Sequence, residues 1–321
     1  MKIGNLEVQG NVFLAPMAGI TDIPFRKTVE HFGVSALWTE MMSSFAVIAL
    51  SGKMPTTEFL EHTVPIFCQL SGNDPSVMAQ AALIVQEKGA QAIDINMGCP
   101  ARRVVHRGSG AALMKNCSLA RKIVSAVRSV TSVALTVKIR SGWDEKNQNA
   151  SELAKMLEFE GADAIIVHSR VRSNKHSGPA SLSVVRRVKE SVGIPVIGNG
   201  GIVDIASALA MLRETGCDGI MIGRGALGRP WFPQQVRENL SPSCVGEKRQ
   251  TTVLEAIQMH YTFAYQRWGV DKTVRRMRKH LGWYSRGFPH GADFRKKVFR
   301  EKDPKRIGKM VEGFFGEVVI A

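Results

Sequence analysis

Three reactive side chains in this sequence lie at the ends of short apolar runs, where a folded protein can hold them in fixed positions. Cys99 lies in an Asn-Met-Gly-Cys-Pro turn at 96–100, and a thiol there could act as a nucleophile or as a proton donor. Lys138 lies near the end of a second run, where a lysine needs an anion or an electron-rich ring beside it. The same lysine could instead form a Schiff base with a carbonyl substrate. His168 ends a third run and could hydrogen-bond to a bound ring.

These positions belong to a series of eight apolar runs, each of which ends in a polar or glycine-containing group. The runs lie at residues 12–15, 34–38, 64–68, 91–95, 133–137, 164–167, 194–197 and 219–222. The groups at their ends are Pro16-Met17-Ala18-Gly19, Glu40, Gln69, Asn96 with Cys99, Lys138 with Arg140, His168 with Arg170, Asn199-Gly200-Gly201, and Gly223-Arg224. Functional groups at the carboxyl ends of eight buried strands are typical of a (β/α)₈ TIM-barrel enzyme. The sequence therefore predicts an α/β fold of this kind.

Helical patterns lie between the runs and after them. Residues 76–88, 119–128, 150–160, 181–191 and 205–215 each place apolar residues on one face, and the short apolar segment at 3–8 predicts a hairpin that plugs the barrel. Residues 239–250 have the composition of a linker, and three helical stripes follow it. We therefore predict a barrel domain over 1–240 and a small all-α domain over 241–321.

The loops after the seventh and eighth runs predict a phosphate site. Gly200 and Gly201 follow Asn199, and Gly223 precedes Arg224. These are the two loops that often hold a phosphate in TIM barrels, through backbone N–H groups at the start of a helix. Glycine allows the backbone to approach the phosphate closely, and Arg224 could add a charged contact. The pair predicts a phosphorylated ligand without identifying it.

Positive charge is concentrated in the predicted helical domain. The 321-residue chain has a formal net charge of +15, and residues 267–309 contain 15 basic and 4 acidic side chains. Such a surface gains affinity for a polyanion by releasing counterions from its phosphates. Arg102, Arg103 and Arg107 follow Cys99 closely and would surround the mouth of the barrel with further positive charge.

The composition disfavours membrane, secreted and metal-binding classes of protein. No apolar stretch reaches the length of a membrane helix, and residues 1–6 lack an apolar signal core. The five cysteines form no Cys-x-x-Cys pair, so neither a zinc site nor a disulfide framework is predicted. We expect a cytoplasmic monomer that binds neither a metal nor a membrane.

Five segments of the chain resemble bacterial tRNA-dihydrouridine synthases, and the resemblance is closest to the B-type subgroup. They are Ala-Pro-Met-Ala-Gly-Ile-Thr-Asp at 15–22, Glu-Met-Met-Ser-Ser at 40–44, Asp-Ile-Asn-Met-Gly-Cys-Pro at 94–100, Lys-Ile-Arg-Ser-Gly-Trp at 138–143 and Arg-Lys-His-Leu-Gly-Trp-Tyr at 278–284. The resemblance covers nearly the whole chain, and its Asn-x-Gly-Cys-Pro motif is quite specific. It implies an FMN-bound barrel followed by a helical tRNA-binding domain. In this family FMN is reduced by NADPH and passes a hydride to C6 of a tRNA uracil.

The resemblance also implies roles for individual residues. Cys99 would be the acid that protonates C5 of the uracil, and Asn96 would help to position that base. The flavin and its phosphate would be held by Pro16, Met17, Ala18, Gln69, Lys138, His168, Asn199, Gly200, Gly201, Gly223 and Arg224. Positive charge, and not the resemblance, selects Arg102, Arg103, Arg170, Arg275, Arg276 and Lys279 as the other substrate contacts. The uridine must leave its stack to reach the flavin, so a deep pocket with a basic rim is expected.

Three places depart from the family pattern. Gly201 replaces an acidic residue, Ser169 replaces a glycine, and residues 174–178 lack an aromatic side chain expected near the substrate. These departures concern substrate contacts more than FMN binding.

The residues alone leave three other functions open. A flavin barrel acting on a small molecule, similar to a dihydroorotate dehydrogenase, would explain the phosphate loops and Lys138 but not the basic tail. An aldolase-type lyase would use Lys138 as a Schiff base and would contain no flavin. An RNA-binding protein with an inactive barrel would need neither Cys99 nor Lys138.

Overall fold

Eight parallel strands form a barrel in the computed structural model, which describes residues 1–51, 59, 61–175, 177–240 and 252–316. In chain order the strands are β1 (Lys2–Ile3), β2 (Leu6–Glu7), β3 (Val12–Leu14), β4 (Leu37–Trp38), β5 (Met42–Ser43), β6 (Ile66–Ser71), β7 (Ala92–Asn96), β8 (Ala134–Arg140), β9 (Ala164–His168), β10 (Val196–Asn199) and β11 (Gly219–Ile222). Neighbouring strands pair in the order β3-β11-β10-β9-β8-β7-β6-β4, and β5 adds a short pairing to β6. A parallel bridge between Phe13 and Ala36 joins the two ends of this order. Each predicted run overlaps one barrel strand, so the prediction of a TIM barrel is confirmed.

The N-terminal hairpin closes one end of this barrel. β1 and β2 pair in antiparallel fashion, and Ile3 and Val8 are buried in the same core cluster as residues from inside the barrel. In that cluster the ring of Trp38 stacks on Phe67 with centroids 4.2 Å apart and meets the edge of Phe13. The predicted hairpin plug is therefore confirmed. Together with the strand side chains it forms a packed core, so the barrel has no pore at this end.

The predicted helices between the strands are also present. In the barrel part of the chain the helices are α2 (Ser44–Ala49), α3 (Pro75–Glu87), α4 (Arg102–His106), α5 (Cys117–Val130), α6 (Ala150–Phe159), α7 (Leu182–Ser191) and α8 (Ile205–Thr215). Side chains before several of them accept backbone N–H groups that a helix start leaves unpaired: Asp74 caps α3, Asn116 caps α5 and Asp204 caps α8. The short helices α2 and α4 and the 3-10 turn Gly110–Lys115 were not predicted.

Contacts divide the chain into two compact units. One consists of Met1–Thr21 and Val34–Gly223, and the other consists of Asp22–Gly33 and Arg224–Ala321. The second unit therefore includes α1 (Ile23–Phe32) and α9 (Phe232–Leu240), which precede the boundary that the sequence suggests at 240/241. Residues 241–251, which include most of the predicted linker and Cys244, lie outside the described residues.

The long secondary-structure elements that the structure describes in the second unit are all helices. They are α1 and α9 together with α10 (Val253–Trp268), α11 (Val270–Tyr284), α12 (Gly291–Val298) and α13 (Pro304–Phe315). The three apolar stripes of the sequence lie on α10, α11 and α13, and Ile257, Leu281 and Phe315 from these helices share one buried cluster. None of the helices in the described part of the chain is both long and apolar enough to cross a membrane.

Two buried histidines contact each other in this helical unit. The ring centroids of His260 on α10 and His280 on α11 are 4.5 Å apart, and Phe25 packs against both rings. The Tyr284 hydroxyl lies 3.3 Å from His260 Nδ1. Burial lowers the pKa of His260 from 6.5 to about 3, and Lys279 adds to this effect. Burial also holds the pKa of His280 well below its usual value, with further contributions from His260 and Lys279.

We expect mild acid to destabilise the helical unit. Both histidines stay neutral in the folded state, whereas the unfolded chain takes up protons as the pH falls through about 6.5. The unfolded state therefore binds more protons, and the free energy of unfolding falls with decreasing pH. For His260 alone the loss between pH 7 and pH 5 is about 2 kcal/mol. Urea unfolding at the two pH values measures it.

The variant His260→Gln should lose the part of this pH dependence that comes from His260. His31→Gln, which changes an exposed histidine of α1, is the matched control and should keep it. An equal pH dependence in wild type and His260→Gln would contradict the prediction.

Candidate active site

The carboxyl ends of β6, β7 and β8 place polar side chains in two adjacent rows. In the lower row the strand register sets Gln69 beside Asp94, and Asp94 beside Thr136. Two residues further on, Asn96 lies beside Lys138. Because side chains alternate along a strand, both rows are on the same face of the sheet. The predicted groups at these strand ends are therefore brought together in the mouth of the barrel.

The backbone of the Cys99 turn is held from two sides. Asn96 Oδ1 accepts the N–H of Cys99 at 2.9 Å and that of Gly98 at 3.3 Å. The Cys99 carbonyl accepts the N–H of Ala111 at 3.1 Å. Gly110 lies beside the turn at a φ of +61°, and a Cβ there would stand 2.9 Å from the Cys99 carbonyl oxygen. Cys99 is itself only half-buried, so a fixed backbone presents its thiol at an accessible position.

Lys138 is held almost completely inside the mouth. Its Nζ donates to Asn199 Oδ1 at 2.8 Å, and Asn199 Nδ2 donates to the Met221 carbonyl at 2.7 Å. The residue is 9% exposed, and burial lowers the pKa of its ammonium group to about 7. Asp94 opposes that decrease, and Arg140 adds to it. An anion bound beside Nζ would restore the charged form.

Asp94 is the buried carboxylate of the lower row. It is 0% exposed, and burial raises its pKa to about 6, although hydrogen bonds from Thr136 and Gln69 and the charge of Lys138 oppose the increase. The Thr136 hydroxyl donates to Oδ1 at 2.6 Å, and Gln69 Nε2 donates to Oδ2 at 2.7 Å. Sequence reasoning did not select this residue. The sequence feature that could have identified Asp94 is a carboxylate inside an otherwise apolar run.

Arg140 is a second residue that the predicted site did not include. It is 2% exposed, and its guanidinium donates to the backbone carbonyls of Gly98 at 2.7 Å and Lys175 at 2.7 Å. Burial lowers its pKa to about 10, Cys99 opposes the decrease, and Arg170 adds to it. Arg170, a predicted substrate contact, is buried and donates to the Gly178 carbonyl at 2.9 Å. The mouth therefore contains three basic side chains, Lys138, Arg140 and Arg170, which favours an anionic ligand.

The end of β10 forms a glycine cradle. Gly200 has a φ of +111°, and a Cβ there would stand 2.8 Å from Ser169 Oγ. Gly201 has a φ of +78°, and a Cβ there would stand 2.9 Å from Ala180 Cβ. Both positions therefore require glycine. Ser169, one of the departures from the family pattern, donates through Oγ to the Asn199 carbonyl at 3.1 Å and so braces this strand end. His168 lies beside Asn199 in the strand register and is half-buried.

The turn after β3 lies beside the end of β11. The carbonyl of Met17 accepts the N–H groups of Ile20 and Thr21, and the Gly19 N–H donates to the Glu40 carboxylate. A Cβ on Gly223 would find its nearest neighbours, Ala15 Cβ and Met17 Sδ, 3.7 and 3.8 Å away. A side chain at position 223 would therefore have enough space, so crowding does not explain the glycine. Pro16 and Met17 are half-buried, and Ala18 is exposed.

The remaining predicted contacts are arginines and a lysine outside these rows. Arg102 and Arg103 are exposed on α4, directly after the Cys99 turn. Arg224, which lies in the 3-10 turn Arg224–Ala226, is exposed and belongs to the helical unit.

Arg275, Arg276 and Lys279 lie on α11. The Arg276 guanidinium lies 4.5 Å from the Trp268 ring centroid and 3.8 Å from Asp22 Oδ2, and both Arg275 and Arg276 are exposed.

Comparison with known proteins identifies the family. Residues 13–318 match the family described as "Dihydrouridine synthase (Dus)". The chain belongs to this family. Relatives include a "Probable tRNA-dihydrouridine synthase" of Rickettsia conorii, 40% identical over 99% of this chain and 97% of that protein. A "tRNA-dihydrouridine synthase B" of Pasteurella multocida is 39% identical over 100% of this chain and 97% of that protein. The resemblance of the sequence motifs to Dus proteins is therefore confirmed.

Solved structures agree with this assignment at the level of the fold. Morphinone reductase in complex with tetrahydroNAD has a TM-score of 0.55 at 13% identity, and the match covers 75% of this chain and 90% of that one. At this identity the similarity shows the barrel fold and nothing more. Among the described residues, no group of three or more histidine, cysteine, aspartate or glutamate side chains is arranged to hold a metal ion.

Proposed function

We propose that this protein is an FMN-dependent tRNA-dihydrouridine synthase that uses NADPH to reduce the C5–C6 bond of uridines in the D-loop of tRNA. The observation that carries the proposal is the arrangement of Cys99 beside a cationic mouth that contains Lys138 and Arg140. Membership of the Dus family implies the flavin and the uridine substrate. Family membership also favours this function over a small-molecule oxidoreductase, a lyase or an inactive barrel.

The residues of the mouth fit the phosphate and the ring of a flavin. The cradle at Gly200 and Gly201 excludes side chains, and the electron-rich edge of a flavin ring beside Lys138 would compensate the unfavourable burial of its charge. We assign the flavin ring to Gln69, Lys138, His168, Asn199 and the turn Pro16-Met17-Ala18. We assign the phosphate to Gly200, Gly201, Gly223 and Arg224. When bound and reduced, the flavin supplies a hydride to C6 of the uracil.

Cys99 then supplies the second hydrogen. Its thiol proton passes to C5, so one hydride and one proton together saturate the C5–C6 bond. The hydrogen bonds from Gly98 and Cys99 N–H to Asn96 Oδ1 fix the turn, so the thiol needs little reorganisation to reach the base. Asn96 Nδ2 donates to Gln69 Oε1 at 2.9 Å. We therefore assign Asn96 a part in positioning the uracil through the Cys99 turn.

The basic residues would bind the tRNA backbone. Arg102 and Arg103 are exposed beside the Cys99 turn, and Arg170 lies in the mouth. We assign the helical domain at 241–321 to tRNA binding through Arg275, Arg276 and Lys279. Its positive charge provides sequence-independent affinity, while the positions of these contacts set the orientation of the tRNA. We further propose that the protein acts as a monomer in the cytoplasm.

Arg275 provides a direct test of the RNA surface. Replacing Arg275 with glutamine should weaken tRNA binding and reduce the slope of log Kd against log salt by about 1, since one phosphate contact is lost. Arg276 is less suitable, because its pairing with Asp22 and its contact with Trp268 make any substitution there a stability change as well. Binding is measured at several salt concentrations.

The matched control is Arg213→Gln, which removes an exposed arginine from α8 of the barrel. It should leave the salt slope unchanged. A wild-type slope in Arg275→Gln would show that the tRNA surface lies elsewhere.

The proposed function is tested by a spectrum and a turnover assay. The purified protein should show a flavin spectrum that NADPH bleaches and that dihydrouridine-free tRNA restores, with dihydrouridine formed in the RNA. A flavin spectrum without turnover on tRNA would favour a small-molecule oxidoreductase. Failure to bind FMN, even on reconstitution, would overturn the proposal, and borohydride trapping of a carbonyl compound on Lys138 would then support a lyase.

A further inference from the structure

A chain of side-chain hydrogen bonds leads from the interior of the barrel to the Cys99 turn. It begins at Asp94, whose Oδ2 accepts from Gln69 Nε2 at 2.7 Å. Gln69 Oε1 then accepts from Asn96 Nδ2 at 2.9 Å. Asn96 Oδ1 accepts the backbone N–H groups of Gly98 and Cys99 at 3.3 and 2.9 Å. Every link lies in the barrel unit, and Gln69, Asp94 and Asn96 are all buried.

We propose that Asp94 is a positioning residue that sets the direction of this chain and thereby holds the Cys99 turn in its reactive conformation. The inference deepens the proposed function and rests on it for the role of Cys99. It adds to the site a residue that never needs to touch the substrate or the flavin.

The direction of the chain follows from the chemistry of its first member. The side-chain amides of Gln69 and Asn96 can each turn over and exchange their oxygen and nitrogen positions. An ionised carboxylate can only accept, so Asp94 requires Gln69 to present Nε2 to it. Gln69 must then present Oε1 to Asn96, and Asn96 must present Nδ2 to Gln69. The only end of Asn96 left for the turn is Oδ1, which is the acceptor that the two backbone N–H groups need.

The position of Asp94 supports a role beyond packing. A buried carboxylate is unfavourable unless hydrogen bonds and nearby charge compensate it, and an apolar side chain would fill the same barrel layer without that penalty. The carboxylate is compensated here by Thr136, Gln69 and, at longer range, Lys138. Thr136 donates to Oδ1, whereas the chain to Cys99 starts from Oδ2. The hydrogen bonds to the two carboxylate oxygens can therefore be removed and tested separately.

The first experiment measures amide hydrogen exchange by mass spectrometry in the flavin-loaded enzyme. Asp94→Leu keeps the branched shape of the side chain but removes both acceptors, so exchange at the Gly98 and Cys99 amides should become at least about tenfold faster. Asp94→Asn can still present Oδ1 to Gln69 and should retain the protection seen in the wild type. Thr136→Val removes only the hydrogen bond to Oδ1 and should also retain it.

Two results would overturn the proposal. One is wild-type exchange at these two amides in a folded Asp94→Leu variant. The other is acceleration in Thr136→Val as large as in Asp94→Leu, because that would point to a general loosening of the barrel. If Asp94→Leu does not fold, Gln69→Leu interrupts the chain one link later and should produce the same local acceleration.

A second readout separates positioning from general damage. Asp94→Leu should slow the reoxidation of reduced flavin by tRNA at least about tenfold. It should leave the reduction by NADPH within about threefold of the wild type, because only the reoxidation uses Cys99. In an Asn96→Ala background the same substitution should have no further effect on reoxidation. Equal slowing of both steps, or full additivity, would refute action through Asn96. If the wild type forms no dihydrouridine, the proposed function fails, while the exchange measurement still decides whether Asp94 holds the turn.

Discussion

Replacing Cys99 with alanine is expected to lower the rate constant for reoxidation of the reduced flavin by tRNA by about 10²- to 10⁴-fold, the usual contribution of a positioned general acid. Flavin content, reduction by NADPH and tRNA affinity should stay close to the wild type. The reason is structural: the turn is held through its backbone, by Asn96 Oδ1 and by the Ala111 N–H, so removal of the sulfur leaves the turn intact. Stopped-flow measurement of the two half-reactions tests both statements.

Two further variants sharpen this test. Cys99→Ser keeps the shape of the side chain but offers a much weaker acid, so it should be nearly as slow as alanine. Cys117→Ala removes another half-buried thiol of the barrel, at the start of α5, and should leave both half-reactions unchanged. Near-normal reoxidation in Cys99→Ala would remove the residue from the mechanism, whatever the outcome for serine.

FMN affinity is expected to decrease as the pH rises above 7. In the free protein burial lowers the pKa of Lys138 to about 7. A bound flavin ring whose electron-rich edge accepts a hydrogen bond from Nζ would raise that pKa toward its usual value of 10.5, so binding takes up a proton at any pH between the two values. Linkage then requires the dissociation constant to increase with pH, by up to about tenfold per pH unit for one proton. Below pH 7 the lysine is already charged, and the affinity should level off.

The variant Lys138→Met isolates this effect. It should bind FMN at least about tenfold more weakly than the wild type at pH 7, and its affinity should no longer change between pH 7 and pH 9. Lys122→Met, which alters an exposed lysine on α5, should behave as the wild type in both respects. Fluorescence quenching of FMN measures the dissociation constants. A steep pH dependence that persists in Lys138→Met would assign the titrating group to another residue.

The barrel could be predicted because each of its strands carries a local signal. Strands covered on both faces appear as short continuous apolar runs, as in β9 and β11, and the polar group at each end is adjacent in sequence. The layer that contains Asp94 could not be predicted in the same way. Its partners Gln69 and Thr136 are 25 and 42 residues distant, and only the strand register shows that the three lie side by side.

In the helical unit, too, contacts between residues far apart in sequence could not be predicted from local patterns. Its apolar stripes predict α10, α11 and α13, but nothing in residues 22–33 indicates that they pack with helices more than 200 residues later. The surroundings of Arg276 depend on that packing, because Asp22 lies at the start of α1. Sequence reasoning therefore selected Arg276 as an RNA contact from its charge alone, and its contacts with Trp268 and Asp22 are visible only in the structure.

The discontinuous helical unit has a consequence for synthesis on the ribosome. Residues 22–33 leave the ribosome early, but the helices that cover Phe25 of α1 are made more than 200 residues later. At about 5 to 20 residues per second this delay is on the order of 10 to 50 seconds. During that time Phe25 lacks His260 and His280, which its ring contacts in the folded unit, and an exposed apolar side chain of this kind is a natural target for chaperones. In a chain that stops after the barrel strands the Phe25 ring would stay without these partners, so we expect premature termination to yield an aggregation-prone fragment and not a free-standing enzyme.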